Sequence, residues 1–436
     1  MAAQSLPEAS LTMPIFAAPR PASRPDRNGR VRSGNARARR ARRLRLLHMF
    51  LGLTGFIVLF HDSLPPFSYG EDLIEDYVSG RALLNGADPY APLNDLIFRY
   101  MPSSTVLYPH PNAHPPLLIL LGLPFAALPY QIAAPLWFLA NVALLLLIGR
   151  MLKLSGWALL APLAWPPLWT AVGLGGSELV LLALLVAAWR LADQEQDTLA
   201  GGLLGLAAAL KLFPALFFVP FLFRRRWRVV GAGAGALVLG QLVNLAVVGP
   251  AALFHYYLVS LPTFNRLFIA SEANVTPYGA LLRLLGGAPD VRPLVAAPAL
   301  APVIAGIISL FALAALARLR PEAAPLAFLI ATPSAWTNYV TLIFPQLLAM
   351  WRGGDRRVLL LLAAAAASWV MPIALSLPAF LLVLRGAGTH ANDVAVLLGA
   401  VQPAGLIALL GLAWTGVGST DPPLGDVATP RADARV

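Results

Sequence analysis

No cysteine occurs in the chain, so disulfides and thiolate metal sites are excluded. Lysine is nearly missing too: Lys153 and Lys211 are its two occurrences among 32 basic residues. Charged residues make up 12% of the 436 positions, about half the share of a typical soluble domain. The hydrophobic share is 58% and the mean hydropathy +0.70, which excludes a disordered or collagen-like chain and points to an all-α, polytopic helical membrane protein. Net charge is +11, but residues 1–45 hold eleven arginines against Glu8 and Asp26, a net of +9. That basic tail orients a membrane protein and is no nucleic-acid footprint.

Three regions follow from this patterning: a disordered Arg-rich tail at 1–43, a membrane domain at 44–416, and a disordered tail at 417–436. The first apolar stretch, 44–60, reads as a retained signal anchor, since no small-residue cleavage site follows it. Further apolar segments fall near 115–129, 132–149, 155–172, 177–192, 200–222, 229–248, 294–317, 323–335, 339–351, 358–385 and 394–415. The expected count is therefore about 10–12 transmembrane helices. Alternating them places Arg224, Arg225, Arg226, Arg228, Arg318, Arg320, Arg352, Arg356 and Arg357 in the cytoplasm, with Arg150 and Lys153 the misfits. Two long polar loops, 61–114 and 249–293, then lie on the outer face, where long loops between helices are commonly functional.

The first loop carries seven acids against Arg81 and Arg99. Ser68-Tyr69-Gly70-Glu71 has capping-box spacing and Gly86 stops a helix, so 69–85 is expected to be helical. Asp72 and Asp76 then share a face with Glu75 beside them. Like charges at that spacing raise at least one pKa, which suits a general base; equally, acids in a first turn complement the helix dipole. His110 and His114 are four apart, but Pro111, Pro115 and Pro116 forbid a helix and no cysteine joins them. A rigid loop rather than a metal site is the reading.

Lys211 falls in the middle of an apolar helix expected over 201–223, and a cation at that depth needs a partner or a cavity. Glu178 lies at similar depth across a turn near Gln196. Lys211 therefore pairs with Glu178, receives an anionic group such as a lipid phosphate, or does both. In the second loop Glu272, Asn274, Thr276, Tyr278 and Arg283 cluster, with Arg266 upstream. That set suits sugar and phosphate recognition, and 277–286 also fits a plain amphipathic helix. Pro333 through Trp336, Asn338 and Tyr339 falls at the outer face, as an interfacial anchor or as part of the same site.

In order, these motifs run Asp72 through Tyr77, Arg81, Gly86 and Tyr90; Tyr108 through His114; Gly175-Gly176-Ser177-Glu178; Gly205 through Lys211 and Pro214 with Arg224 to Arg228; Asn274 through Arg283; and Pro333 to Trp336. Over about 45–415 the sequence resembles glycosyltransferase family 87, polytopic enzymes of the GT-C class. The resemblance implies a GT-C-like fold with outer-face loop helices, in the bacterial inner membrane. It also implies transfer of a mannose-like hexose, or a pentose, from a polyprenyl-phosphate donor to a lipid or glycan acceptor, with inversion and without metal or cofactor. The family's base on the acceptor hydroxyl matches Asp72, and its K-x-x-P lysine matches Lys211. Asp76, Tyr77, Arg81, Tyr108, His114, Glu178, Arg266, Asn274, Arg283, Trp336 and Asn338 are the accompanying substrate-binding candidates. Two departures stand out: Gly175-Gly176-Ser177-Glu178 where the family often has G-Q-x-N, and Asn338-Tyr339 where it often has two histidines. The rival class is a transporter or lipid flippase, which shares the spans and intramembrane charges but is expected to show internal repeats that this chain lacks.

Overall fold

A computed structural model describes residues 70–104, 106–108, 110–154, 159, 166–271, 274–287, 292–352, 400 and 403–411. The expected anchor at 44–60, the segment at 358–385, Asp62, Glu272 and both tails lie outside these residues. Among the described residues the chain is helical, and its one β contact is an isolated bridge between Asn274 and Trp336.

Helix α1 (Glu71–Leu84) matches the expected 69–85 closely. Its N-terminus differs in kind from a capping box. The cap is Gly70, at φ +132°, and the backbone N–H groups of Asp72 and Leu73 donate to Leu174 O at 3.0 and 3.3 Å. Tertiary contact thus satisfies the orphan donors that a side-chain cap would otherwise take. At the other end Gly86 turns at φ +67° and Ala87 N–H closes on Ala82 O, as the sequence implies.

Then come α2 (Leu93–Tyr100), α3 (Pro116–Ala126) and α4 (Tyr130–Met151). After these, α5 (Pro166–Gly173), α6 (Glu178–Asp193) and α7 (Asp197–Leu210) build the centre. Leu181, Leu185 and Trp189 of α6 are buried in one hydrophobic core with Leu204 and Ala207 of α7 and with Leu326 and Ala327. A long helix, α8 (Trp227–His255), lies against α7 at backbone distance. A Cβ on Gly205 would come 2.2 Å from Gly233 O, so only glycine admits this approach. α8 breaks at Gly249 (φ 78°), where Pro250 also follows, close to the expected end of the 229–248 segment.

The 200–222 segment is not one helix. It stops at Leu210, Lys211 is extended (φ −145°, ψ 132°), and a 3-10 turn covers Phe213–Phe218. Pro214 explains the break, because it cannot donate to Leu210 O and its ring would strike that carbonyl. Lys211 therefore sits at a helix break and not in mid-helix.

The second long polar loop is helical in parts: α9 (Leu261–Phe268) and α10 (Pro277–Leu285), the latter capped by Thr276 Oγ1 accepting from Gly279 N–H at 3.1 Å. α11 (Leu300–Leu316), α12 (Ala324–Ala331), a 3-10 turn over Thr337–Ile343 and α13 (Phe344–Arg352) follow. Among the described residues, two helical segments, Tyr130–Met151 and Trp227–Phe268, are long and apolar enough to cross a membrane. Leu239 and Leu242 of α8 and Val303, Ile307 and Phe311 of α11 present apolar side chains outwards.

Candidate functional site

Between α1, the 110–114 loop, the Lys211 break, α9 and the Trp336–Tyr339 segment lies a cavity of about 550 Å³. Asp72, Glu75, His110, His114, Lys211, Trp336 and Asn338 line it, so the first loop, the broken helix and the 336 segment do converge.

The acidic wall is held by the 110–114 loop, which the prolines keep non-helical. Asn112 Nδ2 donates to Ser79 Oγ at 2.7 Å and to Glu75 O at 3.2 Å, while Tyr90 OH donates to His114 O at 2.7 Å. This lacing sets two imidazoles against two carboxylates. His114 Nδ1 lies 2.9 Å from Asp76 Oδ1, and His110 Nε2 lies 3.8 Å from Glu75 Oε1. The acids that face the histidines come from α1, a proximity that more than thirty intervening residues conceal.

These environments separate the three carboxyl groups. Burial pushes Glu75 up to about 8, so at neutral pH it is protonated. Asp72 is raised to about 6, first by burial, with Glu178 and Asp76 adding to it and His114 and Lys211 opposing. Burial favours neutral His114, but the charge and hydrogen bond of Asp76 overcome this and hold it at about 9, a cation paired with Asp76. Burial lowers His110, which is neutral. Repulsion between like charges is real here, but desolvation is the larger cause. Asp72 alone of the three is both ionised at neutral pH and uncommitted to an imidazole.

Opposite stands a cation. Lys211 Nζ donates to Glu178 Oε1 at 2.9 Å and to Tyr339 OH at 3.1 Å, with the Tyr339 ring centroid 4.7 Å away. The pairing read from equal depth is present, and Lys211 also borders the cavity. Phe213 and Phe328 stack at 4.1 Å beneath it. A third wall is aromatic: His110, Phe264, Phe268 and Trp336 pack with centroids 4.9–5.8 Å apart. Asn338 is 3% exposed, borders the cavity, and its Oδ1 has no hydrogen-bond partner among the described residues.

Six of the expected substrate-binding residues are used elsewhere. Tyr77 OH and Arg81 Nη2 both donate to Leu128 O, at 2.8 and 2.9 Å, fixing α1 to the α3–α4 turn. Tyr108 OH donates to Glu71 O. Asn274 gives Nδ2–H to Ile269 O and Pro333 O and accepts at Oδ1 from Thr276 N–H and Ala335 N–H. Arg283, 2% exposed, reaches the carbonyls of Ala270, Ser271 and Asn274. Arg266 points to the exterior from α9, whose Phe264, Asn265 and Phe268 face the cavity instead. The sequence marks Glu75, His110 and Tyr339 without assigning them a substrate contact, and does not single out the Phe264/Phe268 pair. Their signals were slight: Glu75 is three residues from Asp72, and Phe264 and Phe268 are four apart.

The profile described as Glycosyltransferase family 87 matches residues 112–345. This is narrower than the 45–415 over which the resemblance was drawn, and it begins after α1, leaving Asp72 outside. Two curated relatives carry the description polyprenol-phosphate-mannose-dependent alpha-(1-2)-phosphatidylinositol pentamannoside mannosyltransferase. The one from Mycolicibacterium smegmatis is 28% identical over 290 residues, covering 63% of this chain and 67% of the relative. That from Mycobacterium tuberculosis is 27% identical over 293 residues, covering 64% and 66%. No solved structure matches the chain.

Proposed function

The chain belongs to glycosyltransferase family 87, and from that premise we propose that it moves a mannose-like hexose from a polyprenyl-phosphate donor to a glycolipid or glycan acceptor. The observation that carries the reading is one cavity with an ionised Asp72 on one wall and Lys211 on the other. Asp72 takes the proton of the acceptor hydroxyl. The hydroxyl oxygen then attacks the anomeric carbon from the face opposite the leaving group. The carbon–oxygen bond to phosphate breaks, and the electron pair leaves with the polyprenyl phosphate, giving inversion. A phosphate needs no proton to depart, so the largest contribution falls to the cation that meets its charge, Lys211. Neutral Glu75 donates a hydrogen bond to a sugar hydroxyl, and Asn338 Oδ1 accepts one. The printed descriptions of the two relatives support mannose as the first donor to try.

The enzyme works in a bilayer, in the bacterial inner membrane, with α4, α8 and α11 among its spans and the cavity on the outer face. Their apolar outward faces support this, as does the Arg-rich tail at 1–43, which holds the N-terminus in the cytoplasm ahead of the 44–416 membrane domain. The 417–436 tail returns to the same side. A transporter or flippase without transferase chemistry draws support from one feature, the helix break at Lys211. Membranes carrying the protein, incubated with a panel of polyprenyl-phosphate sugars, separate the two. Consumption of one sugar lipid with a glycosylated product upholds the transferase, and unchanged sugar lipids across the panel remove it.

A further inference from the structure

Glu178 does more than pair with Lys211. Its side chain is fully buried, at 0% exposure, and one oxygen accepts from Lys211. The other, Oε2, has no hydrogen-bond partner among the described residues. That oxygen lies over Gly176, and so does the Asp72 carboxylate: a Cβ on Gly176 would stand 2.1 Å from Glu178 Oε2 and 2.9 Å from Asp72 Oδ2. The two carboxylates therefore face each other across a residue without a side chain. The arrangement is built in. Gly175, at φ +66°, lets the turn pass within touching distance of Leu73, and Leu174 O receives the N–H of Asp72 itself. α1 and the Gly175–Glu178 turn are locked together at the point where the carboxylates meet.

We propose that Glu178 is a positioning residue that sets the proton affinity of Asp72 through the charge it presents across Gly176, balanced from the other side by Lys211. This rests on the transferase reading with Asp72 as base. The other groups that face Asp72 are Glu75 and Asp76 from α1 and His114 from the 110–114 loop, with Tyr339 behind Lys211. Among the carboxylates, Glu178 contributes more than Asp76 to the elevation of Asp72. Like charges disfavour ionisation, so Glu178 makes Asp72 a stronger base, and the orphaned Oε2 keeps that field unscreened by a donor. Without Glu178, the lysine would leave Asp72 ionised to lower pH but less able to take a proton.

The test is the pH dependence of kcat/KM for the full chain in membranes, joined to an infrared titration of the Asp72 carboxyl band, which is identified by its loss in Asp72→Asn. In Glu178→Gln the acid limb and the band are expected to move to a pH roughly 1 lower, with a lower plateau rate. Adding Lys211→Met removes the opposing charge and returns both towards the wild-type pH. Glu178→Asp withdraws the charge from Gly176 by one methylene and gives a smaller shift in the same direction, which keeps the proposal testable should the Gln variant fail to insert. A purely structural Glu178 would lower kcat or raise donor KM with limb and band unmoved, and that result overturns the proposal. If Asp72→Asn keeps its activity while the band still moves in Glu178→Gln, the base assignment fails and the coupling between the carboxylates stands.

Discussion

The two long polar loops carry similar residue types and use them in opposite ways. Between Glu71 and His114, Asp72, Glu75, His110 and His114 open onto the cavity, and the loop's backbone is satisfied by other groups such as Asn112 and Tyr90. Between Asn274 and Arg283, the Asn, Thr and Arg side chains are spent on carbonyls and amides of 269–276, 333 and 335. A buried polar side chain that closes its own hydrogen bonds holds the backbone in place. One that keeps a charge or an open lone pair at a cavity wall is available for chemistry. The second loop is scaffold, and what it positions is the aromatic wall.

Substitutions on the two sides sharpen this contrast. Lys211→Met should raise donor KM by about 10- to 100-fold, the loss of a charge-assisted hydrogen bond to phosphate. The single variant also leaves Glu178 buried and unpaired, a cost of about 3–5 kcal/mol, so donor binding is read in Glu178→Gln/Lys211→Met, where that cost is absent. Unchanged donor KM in the double variant would make the cation a structural partner alone. Glu75 is next. It is neutral at pH 7 and loses its proton near 8, placing an anion beside Asp72, so donor KM in the wild type should rise several-fold as pH passes 8. Glu75→Gln should flatten that rise between pH 7 and 9.5. On the scaffold side, Asn274→Ala should lower stability by about 2 kcal/mol, seen as a reduced melting temperature in detergent, with KM unaltered. Arg266→Ala should leave both rate and stability within about 2-fold, as for an ordinary surface substitution. A large loss of rate in either scaffold variant, at normal stability, would break the division between the loops.

Much of this was legible in the sequence because it depends on local rules. The α1 stop follows from Gly86 and its start falls within two residues of the one that the Ser68–Glu71 spacing marks, the Glu178–Lys211 pair follows from equal depth across one turn, and the rigid 110–114 loop from its prolines. Pro214 also announced the break at Lys211, but hydropathy over 200–222 masked it. Other features depended on where donors and acceptors end up. Asn274 and Arg283 have the composition of a sugar site, yet nothing in spacing reveals that the carbonyls of 270, 271, 274 and 333 lie within their reach. Glu75 and His110 are set by burial, which desolvates the acid and brings the imidazole to it from another segment. Burial is a property of the packed chain, and an acid's role in a site turns on it.

In the proposed function, the acceptor proton is removed by Asp72 in this cavity. The most direct test of that role is Asp72→Asn in membranes supplied with polyprenyl-phosphate mannose and acceptor lipid, measuring donor binding and single-turnover transfer together. Donor affinity should stay within a few-fold of wild type, and transfer should fall by about 10²- to 10⁴-fold. The wild-type rate should also fall as pH drops through about 6, where Asp72 takes up its proton. Transfer by Asp72→Asn at the wild-type rate would contradict that role.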